Sequence, residues 1–111
     1  MSLIGKIVTV IVDRPLGSVH PKHEDIIYPI NYGCIPGVMA PDGEEQDVYI
    51  LGVSQPVKEF TGKVIAVIHR LNDVEDKWVV APEHTFFTAE EIMAQVAFQE
   101  QYFQTELTME P

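Results

Sequence analysis

The run K-V-I-A-V-I-H-R (Lys63 to Arg70), the polar turn Asn72 to Asp76 and the run K-W-V-V-A (Lys77 to Ala81) carry the β-reading of this chain. Both runs are rich in β-branched residues, which pack well on a pleated surface. Pro82 stops the second run because it has no backbone donor. Moving upstream, D-V-Y-I-L-G-V (Asp47 to Val53) reads as another strand, joined to Lys63 by a loop holding Pro56 and Gly62. Asp42-Gly43 just before it is a hairpin signal. Asn31 to Gly43, with Gly33, Pro36, Gly37 and Pro41, reads as turns. Ile26 to Ile30 reads as a short edge strand, with Pro29 lacking a donor, and Arg14 to Asp25 as a loop. G-K-I-V-T-V-I-V (Gly5 to Val12) is the first strand. Downstream the period changes. Thr88 and Glu91 make a T-x-x-E capping box, and Ile92, Val96 and Phe103 mark one face of a helix to about residue 104. The last residues carry no signal. Short strands followed by one helix predict a mainly β fold, a small closed β-barrel with a C-terminal α-helix, as a single domain over residues 1–111.

Composition bounds the partners. The chain is 46% hydrophobic and 22% charged, which excludes a disordered polymer. Its apolar runs are too short to cross a bilayer as a helix, and no secretory signal is visible. Seventeen acids face seven Lys and Arg, a formal charge of −10. Nucleic acid and anionic membranes are therefore poor partners. The single cysteine, Cys34, allows no internal disulfide, which points to a reducing cytoplasm. Cys34 itself reads as a small buried hydrophobe. His20 and His23, spaced H-x-x-H beside Glu24 and Asp25, fit a mobile polar loop better than a transition-metal site.

The stretch A-P-D-G-E-E-Q-D-V-Y-I (Ala40 to Ile50) places Asp42, Glu44, Glu45 and Asp47 at the mouth of a strand. Hard divalent cations want several oxygen ligands, some of them anionic. A metal pair about 3.5–4 Å apart can clamp a phosphoryl group and acidify water. Asp73, Glu75 and Asp76, followed by Lys77, form a second acidic turn before a strand. Read in isolation, a solvated turn is the better account of each of these segments.

Y-P-I-N-Y-G-C-I (Tyr28 to Ile35) followed by D-G-E-E-Q-D-V (Asp42 to Val48) resembles the soluble, metal-dependent inorganic pyrophosphatases of the β-barrel type. V-D-R (Val12 to Arg14), D-K-W-V-V-A-P (Asp76 to Pro82) and F-Q-E-Q-Y-F (Phe98 to Phe103) resemble flanking parts of the same family, whose barrel is OB-like. The resemblance implies hydrolysis of pyrophosphate to phosphate with Mg²⁺, or Mn²⁺, as cofactor; another small phosphoanhydride is the lesser option for the substrate. It places Asp42, Glu44, Asp47 and Asp73 at metal positions, and the next ligand on Glu75 or Asp76, with Asp76 taken first. It gives Asp47, Glu44 and Tyr32 catalytic roles around the attacking water. Arg14, Lys77, Tyr102 and Tyr28 would bind substrate.

Three departures accompany the resemblance. Glu44 and Glu45 stand where the family has aspartate and proline, Phe103 stands where it has a lysine, and the segment between Arg14 and Asn31 is longer. The family's N-terminal site residues have no counterpart in this sequence. A second expectation follows, a catalytically weak or inactive phosphate- or nucleotide-binding regulatory module on the same fold. A domain this small with many aromatics is also expected to associate as a homo-oligomer.

Overall fold

The computed structural model describes residues 3–109, with residue 74 excepted. Six strands and one helix follow in the order β1 (Ile7–Arg14), β2 (Asn31–Met39), β3 (Glu45–Ile50), β4 (Glu59–Arg70), β5 (Asp76–Ala81), α1 (Ala89–Glu100) and β6 (Thr105–Thr108). The hydrogen-bonded order is β1-β2-β3-β5-β4, and β4 returns to pair with β1, so five strands close an OB-like barrel. Only β3 and β5 run parallel; the other neighbours are antiparallel. Strand β4 is long enough to serve three partners: β1 along its first half, β5 along its second, and β6 at its end.

Alternation along the strands feeds two cores. Val10, Ile35, Val48, Ile50, Val64 and Val80 fill the barrel, with Trp78 and Phe60 packed against them. Tyr32, Tyr49, Ala66, Ile68 and Val79 face the other way and meet Ile92 and Val96 of α1. Fully burying each of the Val and Ile side chains among them is worth roughly 1.5–3 kcal/mol. The helix starts at Thr88, whose hydroxyl accepts from the Glu91 amide while the Glu91 carboxylate accepts from the Thr88 amide.

Several elements differ from the sequence reading. Asn31 to Met39, read as turns, is strand β2. Its Pro36 and Gly37 fall where the β2–β3 register shifts, so the missing proline donor interrupts no regular ladder. Gly33 is the reason β1 and β2 approach: a Cβ there would lie 2.0 Å from the Ile11 carbonyl oxygen. Ile26 to Ile30 forms only an isolated bridge between Ile27 and Val19. Strand β4 starts before Lys63, because Glu59 to Lys63 pairs with β1. The helix stops at Glu100, and the last residues add β6 to the free edge at the end of β4. That strand has four residues, with Leu107 alone packed against the core, so pairing with the neighbouring edge largely specifies it. Among the described residues, no helix is long and apolar enough to cross a membrane.

Gly33→Ala is expected to lower stability by about 3 kcal/mol through overpacking against backbone. Gly43 has φ +86° with nothing within 4 Å of a built Cβ, so Gly43→Ala should cost only about 1 kcal/mol. Urea midpoints at unchanged slope check both.

Candidate active site

Strands β2, β3 and β5 lie side by side, and their pleat aims Tyr32, Asp47 and Lys77 toward α1. Lys77 is 3% exposed. Its ammonium donates to Asp47 Oδ2 at 2.6 Å and to the Tyr32 hydroxyl oxygen at 2.9 Å, and lies 3.1 Å from Glu75 Oε2. An ammonium has three donors, and each finds an oxygen. Burial opposes the charge, but Tyr32 and Asp47 outweigh it, and the lysine pKa moves upward. Desolvation pushes the Tyr32 hydroxyl far up, against the pull of Lys77. Tyr32 is therefore a phenol and a hydrogen-bond donor at neutral pH.

A second buried cation adjoins the first. Arg70, at the end of β4, donates through Nε and Nη2 to both Glu100 oxygens at 3.0 and 2.6 Å. Its Nη1 donates to Glu75 Oε2 at 2.8 Å and lies 3.6 Å from Asp73. The guanidinium carbon stands 3.7 Å from the Phe103 ring centroid, a cation–π contact. Tyr49 donates to Glu100 Oε2 at 2.5 Å, and Gln99 donates to the Tyr49 hydroxyl at 2.8 Å. Burial opposes the arginine charge, Glu100 outweighs it, and the net direction is upward. Glu75 Oε2 thus receives both cations and joins the two halves.

The acidic turn flanks this pair. Asp42 accepts from the Glu44 amide at 3.0 Å. That hydrogen bond holds the Asp42 carboxyl below its ordinary value, and Glu75 lies within hydrogen-bonding reach. Glu44 itself is exposed. Arg14 donates to the Asp13 carbonyl at 3.1 Å and reaches the Tyr28 hydroxyl, which donates to Gln99 Oε1 at 3.4 Å. Asp13, at the end of β1, sits near Asp47; burial raises its pKa, with Arg14 opposing. Cys34 is half-buried rather than buried; its Sγ is 3.7 Å from Glu45 Oε1. Desolvation first, then Asp13 and Glu45, raise its pKa, so it stays a thiol.

Asp42, Asp47, Asp73, Tyr28, Tyr32, Arg14 and Lys77 of the sequence reading thus lie around one region. Asp76 departs from it. Its carboxylate pairs with exposed His69 on the opposite pleat, the face of Trp78. Of the two residues left open for that turn, Glu75 is the one facing Lys77. Asp13, Arg70 and Glu100 were not singled out from the sequence. Asp13 had a signal, its place beside Arg14 at a strand end; Arg70 and Glu100 had none, since they meet only through the fold. Among the described residues, no three Asp, Glu, His or Cys side chains converge closely enough to hold a metal ion as they stand. Lys77 and Arg70 instead occupy the space between the carboxylates. The oxygens around them, four carboxylates and the Tyr32 hydroxyl, are of the kind a hard divalent cation takes.

A cleft of about 450 Å³ opens above the two cations. Arg70, Lys77, Gln99, Tyr102 and Phe103 line it together with His20, His23, Asp25 and Ile26 from the segment between β1 and β2. Tyr102 is 63% exposed at its rim.

The profile of the family described as inorganic pyrophosphatase matches residues 7–103. This chain belongs to the inorganic pyrophosphatase family. No curated protein sequence matches it. An inorganic pyrophosphatase from Neisseria gonorrhoeae is similar in structure, with a TM-score of 0.65 and 25% identity, covering 91% of this chain and 76% of that one. One from Ehrlichia chaffeensis superposes with a TM-score of 0.73 at 20% identity, over 96% and 87% of the two chains. One from Coxiella burnetii gives 0.66 at 18% identity, over 98% and 89%. At such identities the last two speak for the barrel alone. Family membership gives the barrel a known setting; the positions of the side chains come from this chain's own geometry.

Glu100→Ala would strand a buried guanidinium, and unfolding by denaturant should show a loss of about 3–5 kcal/mol. Glu90→Ala, at the exposed first turn of the same helix, should cost less than about 1 kcal/mol.

Proposed function

We propose that this chain hydrolyses inorganic pyrophosphate in the cleft above Lys77 and Arg70, with Mg²⁺ or Mn²⁺ held by Asp42, Asp47, Asp73 and Glu75. The observation that carries the reading is a buried, charged lysine shared by Tyr32, Asp47 and Glu75 at the floor of a cleft, in a chain whose sequence matches the family over residues 7–103. A divalent ion bound there supplies charge neutralisation and a lowered pKa for water.

The remaining work falls to side chains. Pyrophosphate is strongly anionic, and phosphoryl transfer is catalysed mainly by positioning and charge neutralisation. Lys77 offers a point charge and Arg14 a planar fork for phosphoryl oxygens. Lys77 already has three partners, so it must release one to take a phosphoryl oxygen. Glu75, the longest contact at 3.1 Å, is the one to yield. Asp47 Oδ2 is held by Lys77, which leaves Oδ1 to accept a hydrogen bond from the attacking water. Tyr32 and Tyr102 present hydroxyl donors, and Tyr28 holds Arg14 in place. The water oxygen bonds to one phosphorus, the bridging P–O bond breaks, and the bridging oxygen leaves with the second phosphate.

Phosphate release from pyrophosphate measures this directly. Release should require Mg²⁺ or Mn²⁺, stop with EDTA, and fall by about 10²-fold or more in Asp47→Asn and Lys77→Met. Wild-type release no greater than that of Asp47→Asn would overturn the proposal.

A further inference from the structure

The segment between Arg14 and Asn31 is folded back on itself. His20 N–H donates to the Ile26 carbonyl, Ile26 N–H to the His23 carbonyl and Tyr28 N–H to the Ser18 carbonyl, each at 2.9 Å. Gly17 N–H donates to the Tyr28 carbonyl at 2.7 Å, and Val19 bridges Ile27. The base is anchored by Asn31, which is buried; it accepts from the Leu16 amide at 2.9 Å and donates to the Gln55 carbonyl at 2.9 Å. These bonds make the segment a hairpin rather than the polar loop expected from the sequence. It holds His20 and His23 with ring centroids 4.9 Å apart, and His20 lies parallel to Tyr28, 6° between planes at 6.1 Å. Both imidazoles line the same cleft as Lys77 and Arg70.

The charge distribution gives this wall a direction. In a chain of −10, Arg14, Lys22, Arg70 and Lys77, four of the seven Lys and Arg, gather here. Asp25 lines the same cleft and offsets part of that charge, and Asp47, Glu75 and Glu100 pair with Lys77 and Arg70. The His20 ring is also fixed in tautomer. Its Nδ1 accepts from the Lys22 amide at 3.1 Å, so the neutral ring carries its proton on Nε2. Desolvation, then the positive charges of His23, Arg14 and Lys22, hold His20 below its ordinary value, with Asp25 opposing. The ring is therefore a neutral N–H donor at and above neutral pH.

We propose that the hairpin of residues 17–28 is the second anion-binding wall of the cleft, with His20 through Nε2–H and His23 contacting the phosphoryl group that Lys77 does not hold. This rests on the reading of the cleft as a pyrophosphate site. Phe103 covers the guanidinium of Arg70 on the same cleft.

Kinetics and calorimetry with the non-hydrolysable imidodiphosphate test it together. In His20→Ala/His23→Ala the KM for pyrophosphate and the Kd for imidodiphosphate should each rise about tenfold or more, with kcat within about twofold. The His20→Ala effect should be the same at about pH 7 and about pH 9, because the donor is neutral. His20→Gln, whose amide N–H reaches the place of Nε2–H, should recover most of it. Lys58→Ala, a cation outside the cleft, should change nothing. Unchanged KM and Kd in the double variant would overturn the inference and leave the catalytic reading standing. Tight imidodiphosphate binding that the double variant loses, without wild-type turnover, would support the wall and overturn the catalytic reading. Absence of binding by the wild type would overturn both.

Discussion

The structure turns on two buried cations, Lys77 and Arg70, held by a chain that is strongly anionic overall. Removing an ammonium and a guanidinium from water costs several kcal/mol per ion. That cost is met only because oxygen partners reach them from separate elements: Tyr32 from β2, Asp47 from β3, Glu75 from the turn before β5, and Glu100 from α1. The barrel must bring β2, β3 and β5 into adjacency for Lys77 to have partners, and α1 must dock for Arg70 to have Glu100. Packing and site geometry are consequently one problem. A displaced helix would leave a buried charge unpaired as well as an apolar face exposed.

This arrangement explains how carboxylates stand so close together. Asp47, Glu75, Asp73 and Glu100 would repel strongly in a low-dielectric setting. The two cations lie between them, and no described buried side-chain oxygen or nitrogen is left without a partner. Glu75 is the pivot, since both cations share one of its oxygens. A phosphate or a divalent cation entering this region competes with existing ion pairs rather than filling a vacancy. On the proposed reading, binding would exchange partners: Lys77 trades Glu75 for a phosphoryl oxygen, while Arg70 keeps its bond to Glu75.

Much of the barrel was legible in the chain. The β-branched runs marked β1, β4 and β5, and the Thr88–Glu91 capping box marked the start of α1. The run Tyr28 to Ile35 with the acidic box marked the family. Strand β2 was hidden because Gly33, Pro36 and Gly37 carry turn chemistry, yet Gly33 is there for close approach to β1 and Pro36–Gly37 sit in a register shift. Strand β6 was hidden because Thr105, Glu106, Leu107 and Thr108 are too short a run to carry a pattern and become a strand by pairing with β4.

Sequence by itself determined which residue types were on hand: carboxylates in two short turns, a lysine at a strand mouth, tyrosines in one run. Only the tertiary structure decided which of them meet. Alternation in β5 sends Lys77 toward α1 and Asp76 to the opposite pleat, where it pairs with His69, so that Glu75 faces the cluster. Arg70 and Glu100 lie thirty positions apart and are joined by helix docking. The physical reason is that pleat and register are local properties, whereas a buried ion pair exists only when distant elements exclude water together.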